Sequence, residues 1–158
     1  MRQAEPVRAE VGPRLEAFDD VPGLADAILT QFEAGGPAFV RQLMPRLTAA
    51  AVGQVRFDVD VTPHVVHGGG VMCGQSILAC MDTGMVFAMA SLRDGEIVPF
   101  TTVSLTTNFE RAVPADVGTV TFDASVTKAG RSVVFGQIDL FLPDGRRAAS
   151  STTTYVWL

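Results

Sequence analysis

Between Val71 and Leu92 the chain reads VMCGQSILACMDTGMVFAMASL, an apolar run broken near its middle by one acidic residue, Asp82. A helix apolar nearly all round must be buried on nearly every side, so the rest of the chain has to wrap it. A buried carboxylate costs several kcal/mol unless it is hydrogen-bonded or put to use, which marks Asp82 as a candidate site residue. The run His67-Gly68-Gly69-Gly70 stands immediately before this stretch. Glycines allow backbone shapes that expose N–H groups, and a helix start adds a partial positive charge aimed at a nearby oxyanion. A carboxylate and an oxyanion-binding helix start are two parts of an acyl-transfer site. The stretch is long enough to span a bilayer, but Asp82 at its centre, Gln75, Ser76 and Thr83 within it, and the strand-like chain after it favour a core helix.

The flanking sequence supplies the wrapping. Residues 1–20 are charged throughout, lack an apolar signal region, and read as a solvated lead-in to one domain over 21–158. A short amphipathic helix is expected over Leu24 to Glu33, stopped by Gly35-Gly36-Pro37. Ala38 to Ala51 is ambiguous: Phe39, Val40, Leu43, Met44 and Leu47 have helical spacing, but a strand after Pro45 fits too. From Gln54 the period is two, with Val55, Phe57, Val59 and Val61 on one face. Four further strands are expected at Phe100–Phe109, Gly118–Thr127, Ser132–Leu142 and Arg147–Leu158, with Lys128-Ala129-Gly130-Arg131 as a hairpin turn. Tight turns between consecutive strands predict an antiparallel meander, and the whole is an α+β fold, a curved sheet around the central helix.

Composition limits the function. Of 158 residues, 47% are apolar and 18% charged, a lean surface that favours an oligomer. A net charge of −5 without a basic patch argues against a nucleic-acid partner. Cys73 and Cys80, seven residues apart on one helix, are about 10 Å apart along its axis, too far for a disulfide, and two thiols do not make a metal site. Reduced cysteines fit the cytoplasm. Met81, Met85 and Met89 form a stripe suited to core or pocket lining.

With Asp82 as the anchor, the pattern resembles the hotdog-fold acyl-CoA thioesterases associated with phenylacetate degradation. Their signature, Asn-x-x-Gly-x-x-His-Gly-Gly followed by a helical Asp, falls on His67, Gly70, Cys73, Gly74, Gln75 and Asp82. Phe109-Glu110-Arg111 before a proline turn, the Gly130-Arg131 hairpin and the closing Thr-Thr-Tyr strand are similar as well. The chain departs from the signature at His67 for Asn, Cys73 for His and Gln75 for Gly. The resemblance implies a cytoplasmic thioesterase that needs no cofactor, coenzyme A being part of its substrate, and works as a homodimer or a dimer of dimers. It implies Asp82 as nucleophile or general base, Gly74 as oxyanion donor, and Thr102 as the hydroxyl facing the carboxylate, with Thr101 as rival. His67 could donate to the carbonyl oxygen or assist a proton transfer. Gly70, Cys73 and Gln75 would line the substrate, with Arg111, Lys128 and Arg131 on the coenzyme A phosphates; His64 has no assigned part. Cys73 sits where a thiol is activated, but no partnered histidine and acid accompany it.

Geometry adds a constraint. Gly74 and Asp82 lie eight residues apart, about 12 Å along one helix, so one carbonyl cannot meet both from the same chain. A two-fold dimer with paired interface sites resolves this. The competing readings are a non-catalytic acyl-CoA binder or sensor and, further off, a hydratase using His67 and Asp82 as an acid–base pair.

Overall fold

The computed structural model describes residues 18–158; the expected lead-in falls outside these except for its last three residues. Of those three, Asp20 accepts a hydrogen bond from the Ala50 amide at 2.7 Å. Helix α1 (Leu24–Gly35) buries Leu24, Ile28 and Phe32, a four-residue spacing that makes one apolar stripe. It stops where the Gly36 N–H closes on the Phe32 carbonyl and Pro37 follows. The ambiguous stretch divides in two: a single turn, α2 (Ala38–Arg41), and then strand β1 (Arg46–Ala51). Met44, with φ 50°, breaks the helical path just before Pro45. A tight turn with Gly53 in the left-handed region leads into β2 (Gln54–Asp60), whose Val55, Phe57 and Val59 are fully buried.

Helix α3 (Gly74–Ser91) follows, then β3 (Phe100–Phe109), β4 (Thr119–Ala129), β5 (Val133–Phe141) and β6 (Arg147–Trp157). The six strands form one antiparallel sheet in the order β1-β2-β4-β5-β6-β3. The expected meander therefore holds only for β4-β5-β6. Strand β3 crosses over to the far edge, where Thr102 pairs with Tyr155 and Phe109 with Ala149. The segment from Leu92 to Pro99 is long enough to make that crossing, so chain order does not fix neighbour order here.

The sheet curves around α3, the α+β hotdog architecture the sequence resembles. Met81, Met85 and Met89 are all buried in the core. Phe57, Phe87 and Phe122 interlock there, with Phe57 stacked on Phe122 at 5.0 Å and edge-on to Phe87 at 5.7 Å. Gly84 lets the helix approach the sheet closely, since a Cβ there would lie 2.7 Å from Phe57. Among the described residues no helix is long and apolar enough to cross a membrane.

Candidate active site

Two short segments clamp the entry to α3. The Met72 amide donates to the Val113 carbonyl at 2.8 Å and the Cys73 amide to the Val65 carbonyl at 2.7 Å. Cys73 takes the capping position in extended conformation, and Gly74 is the first helical residue. The Gly74 N–H has no hydrogen-bond partner among the described residues, as expected of the first donors of a helix. A Cβ at Gly74 would sit 3.5 and 3.7 Å from two Phe109 ring atoms, ordinary contact, so close packing within the chain does not demand a glycine here. Gly74 opens onto a cavity of about 320 Å³ that Met72, Ile77, Phe109, Glu110, Arg111, Ala112 and Val113 also line.

Asp82 lies in a different cavity, of about 360 Å³. Its walls are Phe32, Gly35, Gly36, Pro37 and Val40 from the α1–α2 region, Thr83 and Val86 from α3, and Ile97 and Phe100, with Gln31 at the side. Apart from Asp82, Thr83 and Gln31 the side chains are apolar, which suits a hydrocarbon or aromatic group. The Asp82 carboxylate is half-buried. Thr102 Oγ1 on β3 donates to its Oδ1 at 3.1 Å, and the Tyr155 hydroxyl on β6 donates to the same oxygen in a short hydrogen bond. Tyr155 is fully buried, and that burial together with the negative charge of Asp82 pushes its phenol well above the ordinary tyrosine range, so it remains a donor. Thr101 pairs with Val156 across the strand and makes no bond to Asp82.

The other sequence candidates are scattered. His67 is exposed and tied into its own turn: its Nδ1 accepts from the Gly69 amide at 2.9 Å, its carbonyl accepts from Gly70 at 3.0 Å, and it lines neither cavity. Gly70 completes that turn at φ 76°. Gln75 faces a third cavity with His64, Ser76 and Phe39. The Cys73 sulfur contacts the Ser76 hydroxyl at 3.0 Å, and that hydroxyl with the amides of the helix start lowers its thiol below the usual range. Cys80, fully buried, is pushed up to about 12 by desolvation. Both cysteines are free. Arg111 borders the Gly74 cavity, its guanidinium donating to the Arg147 carbonyl at 2.7 Å. Lys128 is exposed on the outer face of the sheet, paired with the exposed Phe135, and Arg131 is exposed in the β4–β5 hairpin. Neither borders the two cavities.

Sequence reasoning missed Tyr155. A signal was present: the alternation Ser151, Thr153, Tyr155 along β6 turns all three inward, and a buried tyrosine hydroxyl needs a partner.

A family model described as the thioesterase superfamily matches residues 63–149, from just before α3 into β6. The chain belongs to the thioesterase superfamily. Its architecture is shared with a conserved protein from Pseudomonas aeruginosa, PA5202, at 26% identity and a TM-score of 0.70 over 77% of this chain and 94% of that one. It is shared also with the Escherichia coli PaaI protein from the phenylacetic acid degradation operon, at 18% identity and a TM-score of 0.72 over 85% of this chain and 96% of that one. Zebra fish thioesterase superfamily member 2 matches at 20% identity, a TM-score of 0.72 and the same two coverages. The chain is accordingly a hydrolase of thioesters.

Proposed function

We propose that this thioesterase hydrolyses acyl-CoA, with Asp82 of one protomer as general base and the Gly74 amide of a second copy as oxyanion donor. The observation that carries the reading is the separation of Gly74 and Asp82 into two cavities, neither of which holds a complete site. Strand β3 supports the way two copies would complete it. It is the last strand of the sheet, ten residues long, with Val103 and Phe109 largely exposed. An unpaired edge of that length is a template for another strand. Antiparallel pairing of β3 with its own copy about a two-fold axis sets the Thr102 end of one strand against the Phe109 end of the other. That carries the Asp82 cavity towards the Gly74 cavity of the second copy. The half-buried stripe Ala79, Asp82 and Val86 on α3, with Gln75 exposed one turn before it, would be covered in the same assembly.

In this reading the acyl group enters the apolar cavity beside Asp82 and the carbonyl oxygen receives the Gly74 N–H. A water held on the free oxygen of Asp82, whose other oxygen Thr102 bonds, attacks the carbonyl carbon while Asp82 takes its proton. The tetrahedral oxyanion collapses, the carbon–sulfur bond breaks with its electron pair leaving on sulfur, and Asp82 returns the proton to the thiolate. The products are free acid and coenzyme A. Of the three basic candidates for the coenzyme A phosphates, Arg111 stands nearest the site because it borders the Gly74 cavity.

The test is steady-state thiol release across short, long and aromatic acyl-CoAs by wild type and Asp82→Asn, with the oligomeric state measured by light scattering. Turnover by a dimer, with Asp82→Asn at least about a hundredfold slower, is expected. Equal rates in the two proteins would remove Asp82 from the chemistry. Tight binding of intact acyl-CoA without thiol release would instead identify a binder.

A further inference from the structure

The geometry points to Tyr155 as a positioning residue that fixes Asp82 so that Oδ2 alone meets the attacking water, an assignment resting on the thioesterase reading above. Three elements converge on one carboxylate. Asp82 comes from α3, Thr102 from β3 and Tyr155 from β6, the last two directly opposite each other in the antiparallel register. Both hydroxyls donate to Oδ1, the threonine at 3.1 Å and the tyrosine in the shorter bond. The tyrosine hydroxyl also stands 3.3 Å from the Asp82 backbone carbonyl oxygen, a second and longer acceptor for its one proton. Oδ2 has no partner among the described residues.

This asymmetry has chemical content. The terminal torsion of a free aspartate is broad and two-fold, so its two oxygens exchange places readily. Two donors on one oxygen, from neighbouring strands of a rigid sheet, remove that freedom. The carboxylate then offers one defined oxygen at a defined angle, and misplacement of a reacting group by about 1 Å can cost on the order of a hundredfold in rate. The tyrosine is the stiffer brace, because its ring is fully buried and packs against Phe100 with ring centroids 5.8 Å apart, whereas Thr102 is exposed. In the base step the water proton passes to Oδ2 and then to the departing thiolate. The Tyr155 and Thr102 protons stay on their own oxygens throughout.

Tyr155→Phe keeps the ring and deletes only the donor. The measurement is kcat and KM of the full chain in its native assembly, on an acyl-CoA that wild type hydrolyses. Melting temperature and oligomeric state report that the fold is intact, and Thr102→Val, an exposed change, serves as a second variant. The expected result is a kcat about ten- to a hundredfold lower with KM nearly unchanged. Thr102→Val should lower kcat in the same direction, again with KM nearly unchanged. A Tyr155→Phe protein with wild-type kcat, beside an inactive Asp82→Asn, overturns the assignment and leaves the thioesterase reading standing. A lower kcat accompanied by a raised KM and a lower melting temperature also overturns it, because that is the mark of a structural role. If Asp82→Asn itself matches wild type, the thioesterase reading fails and takes this assignment with it.

Discussion

Replacing Gly74 by proline deletes one N–H and changes little else. Gly74 is the first residue of α3, where the amide has no intrahelical partner and proline is favoured. The residue before it, Cys73, already has φ −73° and ψ 147°, the extended form that a following proline requires. A Cβ at position 74 meets only Phe109, at ordinary distance. Gly74→Pro should therefore fold with stability within about 1 kcal/mol of wild type. Loss of one oxyanion donor typically costs roughly 2.7–4 kcal/mol in the transition state, so kcat should fall about a hundred- to a thousandfold. Gly74→Ala keeps the N–H and adds one methyl against Phe109, and should stay within about tenfold of wild type. The assay is kcat/KM from thiol release, with melting temperature and oligomeric state measured in parallel. A folded Gly74→Pro protein that turns over within tenfold of wild type refutes the oxyanion role. Equal damage in Gly74→Ala refutes it too, since the loss would then be steric.

Two further measurements test the environments around the site. Brief iodoacetamide treatment of the native protein at pH 8 should modify Cys73, whose thiol is lowered and partly exposed, and spare Cys80, which burial pushes up to about 12; rapid modification of both, read by mass spectrometry, contradicts the burial of Cys80. Tyr155 is the only tyrosine, so its ionisation can be followed by absorbance. Its folded form holds its proton above the ordinary tyrosine range, while the unfolded chain ionises near pH 10, so this contribution to stability is complete below pH 10 and is lost as pH rises beyond it. Urea unfolding above pH 10 should lose about 1.4 kcal/mol per pH unit more steeply in wild type than in Tyr155→Phe; parallel slopes would contradict the buried donor.

What the sequence disclosed follows from which interactions are local. Helix α3 was legible because its apolar content and its glycine-marked start are written in consecutive residues. The strands were legible because the period of two is also local. The Ala38–Ala51 stretch was not, because Phe39, Val40, Leu43, Met44 and Leu47 carry helical spacing through a segment that a left-handed Met44 and then Pro45 divide into a single turn and a strand. Nor was the seat of β3: alternation says that Phe100–Phe109 is a strand, but not that it crosses the sheet to pair with β6.

The same distinction sorts the candidate site. Gly74 and Asp82 could be named from sequence because each is an exception to its own surroundings, a glycine at a helix start and a charge in an apolar run. Tyr155 is no exception where it stands, since an aromatic residue in a strand is ordinary. Its meaning arises only from the β3–β6 register, which sets it opposite Thr102 and beneath Asp82. The basic residues fail for the complementary reason. Lys128, Arg131 and Arg111 look alike in sequence as turn cations, yet a register shift after Val126 sets Lys128 opposite the exposed Phe135 on the outer face while Arg111 borders the Gly74 cavity. Where the direction of a side chain depends on which strands are neighbours, a charge in the sequence carries no address. A carboxylate inside an apolar helix does, because burial in any packing forces the fold to provide its donors.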